Sequence, residues 1–524
     1  MMADSRCKLW YDPVPLDVGR IPARKVFAEH FRMTISSSTT KEGSTLRKIL
    51  FAVALFVLAV PGGLLAQTVK NLKNPAPDGV IVPYLLTDGR VLGQGGNGND
   101  FWTLTPDING SYLNGTWKQV ASLPSGYDPY AQAAAVLADG RVLQIGGEYN
   151  FGNFDLTNLC AVYDPAANTW AKLAAPDGWD YIGDSPSTVL PDGTFLLGQK
   201  ITKKMALLDP KTLTWTAMGS KGKADFNAEE GWTLMPDGTV LTYDVKKAPN
   251  AEKYLPNKQK WVNASNTIVD LHQPYEGGGC LDYGGPKLYC PPGEVGPGIL
   301  RPDGTVFATG AVPTGSNTAH TAVYHPGKNP ADPGSWTVGP DFPSGDAAGD
   351  DFAALLTNGR VLVEGNSGRL YEFDGTKLSS GPFGGGSLLV LPTGEVLIGG
   401  EQLYTSTGTY KPGWAPKILT FPASVTRGTT YTITGKRFNG LSQAAAFGDE
   451  FETATNYPLV RITNVASGHV FYAKTHGHSS MGVATGNLKV STNFDVPAGM
   501  ETGASTLEVV ANGIPSPSVS ITVN

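Results

Sequence analysis

One pattern recurs seven times along the chain: an apolar strand, a tight turn closing on glycine, and a second apolar strand. It is written as YLLTDGRVLGQGG (Tyr84–Gly96), AVLADGRVLQIGG (Ala135–Gly147), TVLPDGTFLLG (Thr188–Gly198), TLMPDGTVL (Thr233–Leu241), ILRPDGTVFATG (Ile299–Gly310), ALLTNGRVLVEG (Ala354–Gly365) and LVLPTGEVLIGG (Leu389–Gly400). The turn glycines Gly89, Gly140, Gly193, Gly238, Gly304, Gly359 and Gly394 lie 51, 53, 45, 66, 55 and 35 residues apart. Asp-Gly and Asn-Gly turns between apolar strands are strong short-range hairpin signals. An isolated hairpin cannot bury its own apolar face, so units repeated at this spacing must pack on one another.

Each unit also offers a third strand ending near proline and a fourth carrying tryptophan. Examples are VYDPAANTW (Val162–Trp170), LLDPKTLTW (Leu207–Trp215), YLPNKQKW (Tyr254–Trp261) and VYHPGKNPADPGSW (Val323–Trp336). The tryptophans are expected to pack between neighbouring units. With 65 glycines, 39 prolines and only 16% charged residues, the composition favours many turns and short strands. No 3.6-residue apolar period persists after residue 66. The expected fold class is therefore all-β: a seven-bladed kelch-type β-propeller over residues 67–415, closed so that few strand edges are left bare. The seventh repeat is short, and Gln67–Lys73 is the expected closing strand. From Pro416 the turn signature disappears and longer alternating strands begin, as in PKILTFPASVTRGTTYTITGKRFNG. Residues 416–524 are expected to form an immunoglobulin-like sandwich, with opening strands that resemble IPT/TIG modules.

Residues 1–66 stand apart. The uncharged run Ile49–Val60 follows Arg47-Lys48 and precedes PGGLLAQ, which reads as a signal peptide too short to span a membrane. Met33 is an alternative start. A secreted protein, extracellular or periplasmic, is expected, with no membrane span. Cys280 and Cys290 bracket CLDYGGPKLYC and are expected to form a disulfide; Cys160 is expected to be a buried thiol. Residues 67–524 hold 31 Lys/Arg against 41 Asp/Glu, a net charge near −10 that argues against nucleic-acid partners. Oligomeric state is not legible in these residues.

A repeat propeller followed by a sandwich, closing on ANGIPSPSVSITV, resembles the galactose oxidase and glyoxal oxidase family across Pro83–Asn524. That resemblance implies one copper ion, a tyrosyl radical cross-linked to cysteine, a Tyr-His pair and a histidine from the sandwich. In the family the propeller ligands stand nine or ten residues before the turn glycine. Nine before each, this chain has Val80, Ala131, Asp184, Glu229, Val295, Asp350 and Gly385. None is Tyr, His or Cys. Tyr130 stands one residue away, where a strand turns its side chain to the other face. Copper-radical chemistry is accordingly not expected.

Carboxylates stand there instead. Asp184, Glu229 and Asp350, followed by Ser185, Glu230 and Asp351, are expected to converge at one mouth of the propeller. Crowded carboxylates repel unless a cation or a hydrogen-bond donor satisfies them. Ca²⁺, a cationic ligand or a hydroxyl-rich sugar suits such a set, and so does a paired-carboxylate hydrolase. The plainer alternative is solvated acidic residues at loop boundaries. Tyr127, Tyr130, Trp179, Tyr181, Trp232 and Phe352 lie in the same loops, and Trp179 and Trp232 are candidate stacking residues for a sugar. His476 and His478, at i and i+2 of GHVFYAKTHGHSS, are a candidate metal pair. The function read from these residues is binding of a carbohydrate or cell-surface glycan at the acidic face. The alternative is an enzyme, either a divergent oxidase or a carboxylate-dependent glycan hydrolase or lyase.

Overall fold

The turn pattern becomes seven successive antiparallel sheets in the computed structural model, which describes residues 67–273, 290, 293–313, 316–447, 451 and 453–524. The leader at 1–66 and Cys280 lie outside the described residues, and with them the signal peptide and the Cys280–Cys290 pairing. The first sheet is Val82–Leu85, Val91–Gln94, Phe101–Thr105 and Thr116–Gln119, and the next five repeat that order of four strands. The innermost strands of the other sheets are Ala133–Val136, Ser187–Val189, Thr233–Leu234, Gly298–Leu300, Phe352–Leu355 and Leu388–Val390. These inner strands touch from the first sheet to the second, second to third, fourth to fifth, fifth to sixth, sixth to seventh, and seventh back to first. The result is a β-propeller.

The seventh sheet draws its outermost strand from the other end of the chain. Thr68–Asn71 pairs antiparallel with Gln402–Thr405, so the first and last repeats are held in one sheet. This is the closure expected of Gln67–Lys73.

The repeated tryptophans join neighbouring sheets. The indole N–H of Trp170 donates to the Ala121 carbonyl at 2.9 Å, that of Trp215 to Ala174 at 2.7 Å and that of Trp336 to Ala264 at 2.8 Å. Each bond reaches back to the outermost strand of the preceding sheet or to the residues just after it. Every indole also packs on a tyrosine or phenylalanine of its own sheet, for instance Trp336 on Tyr324 at 5.1 Å. Cys160 lies in the second sheet as a buried free thiol, pushed up to about 12 by burial, as its apolar surroundings predicted.

Strands from Lys417 to Val523 form a nine-stranded sheet, eight along one path and Ile514–Pro515 paired beside it, around a separate apolar core that includes Ile433, Val460, Phe494 and Val509. One excursion leaves this path and enters the propeller. Ala445–Phe447 pairs with the inner strand Phe352–Leu355, and Phe451 bridges Ala134 of the second sheet. Gln443 donates to Thr188 Oγ1 at 2.9 Å, and Thr453 Oγ1 donates to the Leu388 carbonyl at 3.3 Å. A single segment that meets the inner strands of the second, third, sixth and seventh sheets can do so only along the axis. The central channel is therefore filled, and Phe352, Phe447 and Phe451 pack together with Phe352–Phe447 centroids 4.7 Å apart. Among the described residues no helix is long and apolar enough to cross a membrane.

Candidate functional site at the axial mouth

The site lies where inner strands begin. At three of the seven starts the residue nine before the turn glycine takes left-handed backbone angles: Ala131 (φ 52°), Glu229 (φ 56°) and Asp350 (φ 54°). Side chains with a Cβ rarely adopt this conformation, and such strain gathers at functional positions. In the third sheet the kink falls one residue earlier, at Gly183 (φ 80°). A Cβ on Gly183 would lie 3.0 Å from Lys200 Cβ, so glycine is what lets the Lys200 side chain pass.

Lys200 is the centre of the arrangement. Its ammonium is fully buried and pairs with Asp184, with Glu229 Oε1 at 2.6 Å and with Glu148 Oε1 at 3.1 Å. One carboxylate oxygen from each partner lies within 4.8 Å of the others. Two of the three carboxylates anticipated from the repeat thus meet as expected. Lys200 and Glu148 were not anticipated. Both follow the second strand of their repeat, which ends at the same mouth where the first strand begins; that end-to-start pairing was the available signal.

Asp350 faces the same cluster from the sixth sheet. The residue as a whole is exposed, while protein surrounds its carboxyl closely. Desolvation and the Glu229 charge push its carboxyl up to about 7, against a hydrogen bond with Glu294 and the pull of Lys200. Glu148 is likewise raised, by desolvation first, with Lys200 opposing. One lysine among Glu148, Asp184, Glu229 and Asp350 leaves a surplus of negative charge.

The neighbouring acidic residues turn elsewhere. Glu230 is fully buried inside the fourth sheet and holds Lys223 Nζ at 2.7 and 2.8 Å. Asp244 and Glu252 complete that group at 4.0 and 3.6 Å from the same ammonium. Desolvation holds Glu230 well above the carboxylate range and Asp244 at about 8. Asp351, half-buried, lies beside Glu364, and desolvation followed by that charge pushes it to about 9. Glu229 and Glu230 lie before the strand Thr233–Leu234, where the left-handed backbone at Glu229 (φ 56°) separates two neighbouring side chains into different environments.

Trp179 and Trp232 are both buried, each in one of the two propeller cores, and offer no open ring face. A further aromatic group belongs to a small added sheet of Pro129–Tyr130, Tyr149–Asn150 and Asn153–Phe154. Tyr130 is 41% exposed; its ring centroid is 6.1 Å from Tyr149, which is 6.0 Å from Phe154. The Tyr149 hydroxyl bonds the Glu148 carboxylate and feels the charges of Asp184 and Lys200. An aromatic row therefore begins at the charged cluster and runs outward.

A hard cation such as Ca²⁺ suits three converging carboxylates, but here their oxygens already surround the Lys200 ammonium. Copper with a tyrosyl radical fits less well. The donors are carboxylates, and the axial segment Gln443–Asn456 contains no histidine. His476 and His478 go separate ways: His476 Nε2 meets Asp495 at 3.1 Å, while His478 Nδ1 meets Thr492 Oγ1 at 2.9 Å. His478 also stacks on Tyr457, and burial lowers it to about 3, which keeps it neutral. Among the described residues no third metal-binding side chain joins them.

No protein-family model matches the chain, and no characterised protein matches it by sequence. Solved structures do. A fungal alcohol oxidase of the AA5 family, in complex with copper, matches with TM-score 0.50 and 13% identity over 87% of this chain and 98% of its own. A streptogramin B lyase matches at TM-score 0.43 and 12% identity over 66% of this chain and 99% of its own. The extracellular domain of a putative one-component system from B. thetaiotaomicron matches at TM-score 0.41 and 10% identity, covering 87% and 58%. At these identities the likeness to the oxidase is one of fold.

Proposed function

We propose that this chain is a secreted seven-bladed kelch-type β-propeller with a C-terminal immunoglobulin-like domain, and that it binds a carbohydrate or cell-surface glycan at its acidic axial mouth. The observation that supports this reading is the Tyr149 hydroxyl bonded to Glu148, which ties the Tyr130–Tyr149–Phe154 aromatic contacts to the charged cluster that Asp350 faces. Sugars are bound by ring stacking together with directional hydrogen bonds to carboxylates, and here an aromatic residue, Tyr149, adjoins a carboxylate, Glu148. The fixed acceptors are held by Lys200, so the cluster is ordered before a ligand arrives.

A glycan array probed with the purified protein tests it. Binding to a defined glycan, weakened in a Glu229→Gln/Asp350→Asn double variant, is the expected result. Unchanged binding by the double variant would remove the axial mouth from the reading. A second reading is supported by Asp350 itself, whose carboxyl near 7 suits proton transfer at neutral pH beside the ionised partners of Lys200. Release of new reducing or unsaturated ends from a bound glycan, abolished in Asp350→Asn, would establish that lyase or hydrolase role.

A further inference from the structure

Inside the fourth sheet the charges do not balance. One ammonium, Lys223, stands among four buried carboxyl groups, Asp225, Glu230, Asp244 and Glu252, each 4% exposed or less. Three of the four have N–H or O–H donors on their oxygens. Glu230 accepts from the ammonium at both oxygens and from the Thr242 hydroxyl at 3.3 Å. Glu252 accepts from the backbone N–H groups of Ala224 and Asp225 at 2.8 and 3.4 Å. Asp225 accepts from those of Phe226 and Lys247 at 2.7 and 3.1 Å. Asp244 differs. Its Oδ2 accepts from Asn250 Nδ2 at 2.5 Å, but its Oδ1 is buried with no donor among the described residues, 4.0 Å from Lys223 Nζ. Its close neighbour is the Glu252 carboxyl, an acceptor like itself. Lys246, two residues on, places its ammonium over the Phe226 ring instead. Two buried carboxyl groups in contact repel unless one of them carries a proton and donates it to the other.

We infer that Asp244 is held as a neutral carboxylic acid that donates its proton to Glu252, and that this proton fastens residues 223–230 to the fourth sheet and frees them when the medium turns alkaline. Glu252 is the shared piece. It lies in the strand Asn250–Leu255, grips the backbone of Ala224 and Asp225 on one side and meets Asp244, just after Val240–Tyr243, on the other. Loss of the proton leaves two like charges in contact inside the sheet, and the one that moves away takes the grip on the backbone with it. The fastened residues end beside the axial mouth, because Glu229 at their end is a partner of Lys200.

Asp244→Asn in the full chain tests the inference, because an amide reproduces the bonds of the neutral acid: its Nδ2 donates to Glu252 and its Oδ1 accepts from Asn250. Desolvation raises Asp244 to about 8, against about 4 in the unfolded chain. The folded protein therefore holds an extra proton between those values, and the stability it contributes is complete near pH 4 and lost as pH rises towards 8. In urea unfolding, the ratio of folding constants, variant over wild type, should accordingly climb by about ten-fold per pH unit between pH 5 and 8 and then level off. Hydrogen exchange at pH 9 should be faster over residues 223–230 in wild type than in the variant. The infrared difference between wild type and variant at pH 7 should contain the carbonyl band of one protonated carboxyl, and the band should fade by pH 9. A ratio independent of pH, or no such band at pH 7, would overturn the inference. So would a variant less stable than wild type at pH 7, since an ionised Asp244 would then be serving Lys223. Equal exchange over residues 223–230 at pH 9 would overturn the fastening.

Discussion

Replacing Lys200 by methionine asks whether the axial cluster is held together by its ammonium. Methionine approximates the volume of the stem, so the change removes charge more than packing. Lys200 is fully buried among three carboxylates whose side chains are 3%, 7% and 18% exposed. Deleting one partner of a buried ion group costs about 3–5 kcal/mol, because the remaining charges are left uncompensated in a poorly solvated place. The propeller and the C-terminal strands belong to one compact unit, Leu64–Asn524. At ~2.1 cal/mol/K per residue, roughly 460 residues unfold with about 1 kcal/mol/K of entropy, so the cost appears as a fall in Tm of about 3–5 °C. The pH dependence carries the sign. With Lys200 gone, the carboxylates must take up protons to remain folded, so their folded-state affinity for protons exceeds that of the unfolded chain. Stability then improves as pH falls, and the defect should be largest at pH 8 and small near pH 4. Adding Ca²⁺ at millimolar concentration should recover part of the loss in the variant and leave the wild type unmoved, since only the variant has three unoccupied acceptors. Differential scanning calorimetry at pH 4, 6 and 8, with and without CaCl₂, reads all three. A Tm within 1 °C of wild type at pH 8, or a loss equal at every pH, would refute the argument.

Two further outcomes follow from the same geometry. Asp350 has a folded-state carboxyl near 7 against about 4 when unfolded, so wild-type stability should decline as pH rises through that interval, and Asp350→Asn should flatten the decline; a slope unchanged in thermal melts between pH 4 and 8 would place the titrating group elsewhere. Removing Thr68–Asn71 strips the outer partner from Gln402–Thr405, which exposes a strand edge in the seventh sheet. That truncation should melt earlier and associate on heating, visible by light scattering, and a monomer of undiminished Tm would show the closure to be dispensable.

Much of the architecture was legible because it rests on local rules. Each turn glycine adopts positive φ, as in Gly140 (87°) and Gly304 (85°), and only a residue without Cβ does so freely. A tryptophan repeated in the fourth strands of the first five sheets implied a repeated neighbour, and the indole bonds of three of them to Ala121, Ala174 and Ala264 are such neighbours. The acidic starts were legible for the same reason: Asp184, Glu229 and Asp350 share one register in the repeat, and a ring of equivalent strands brings equivalent positions together.

What remained was decided by approach between residues far apart in the chain. Glu148 and Lys200 are 52 residues apart, and no local pattern marks a lysine as the counter-charge for carboxylates from three sheets. Glu229 and Glu230 are neighbours with the same chemistry, yet one joins the axial cluster and the other holds Lys223 inside a sheet. They part at the left-handed backbone of Glu229 (φ 56°), and only the assembled ring tells which one faces the axis. Trp179 and Trp232 stand in the loops beside the carboxylates, and the fold buries them in its cores while leaving Tyr130 exposed and Tyr149 half-buried. The axial pairing shows the same division most plainly: nothing local in Ala445–Phe447 marks it as a partner for an inner strand about 90 residues away, and its place beside Phe352 follows from the free edge and apolar walls that the inner strands supply.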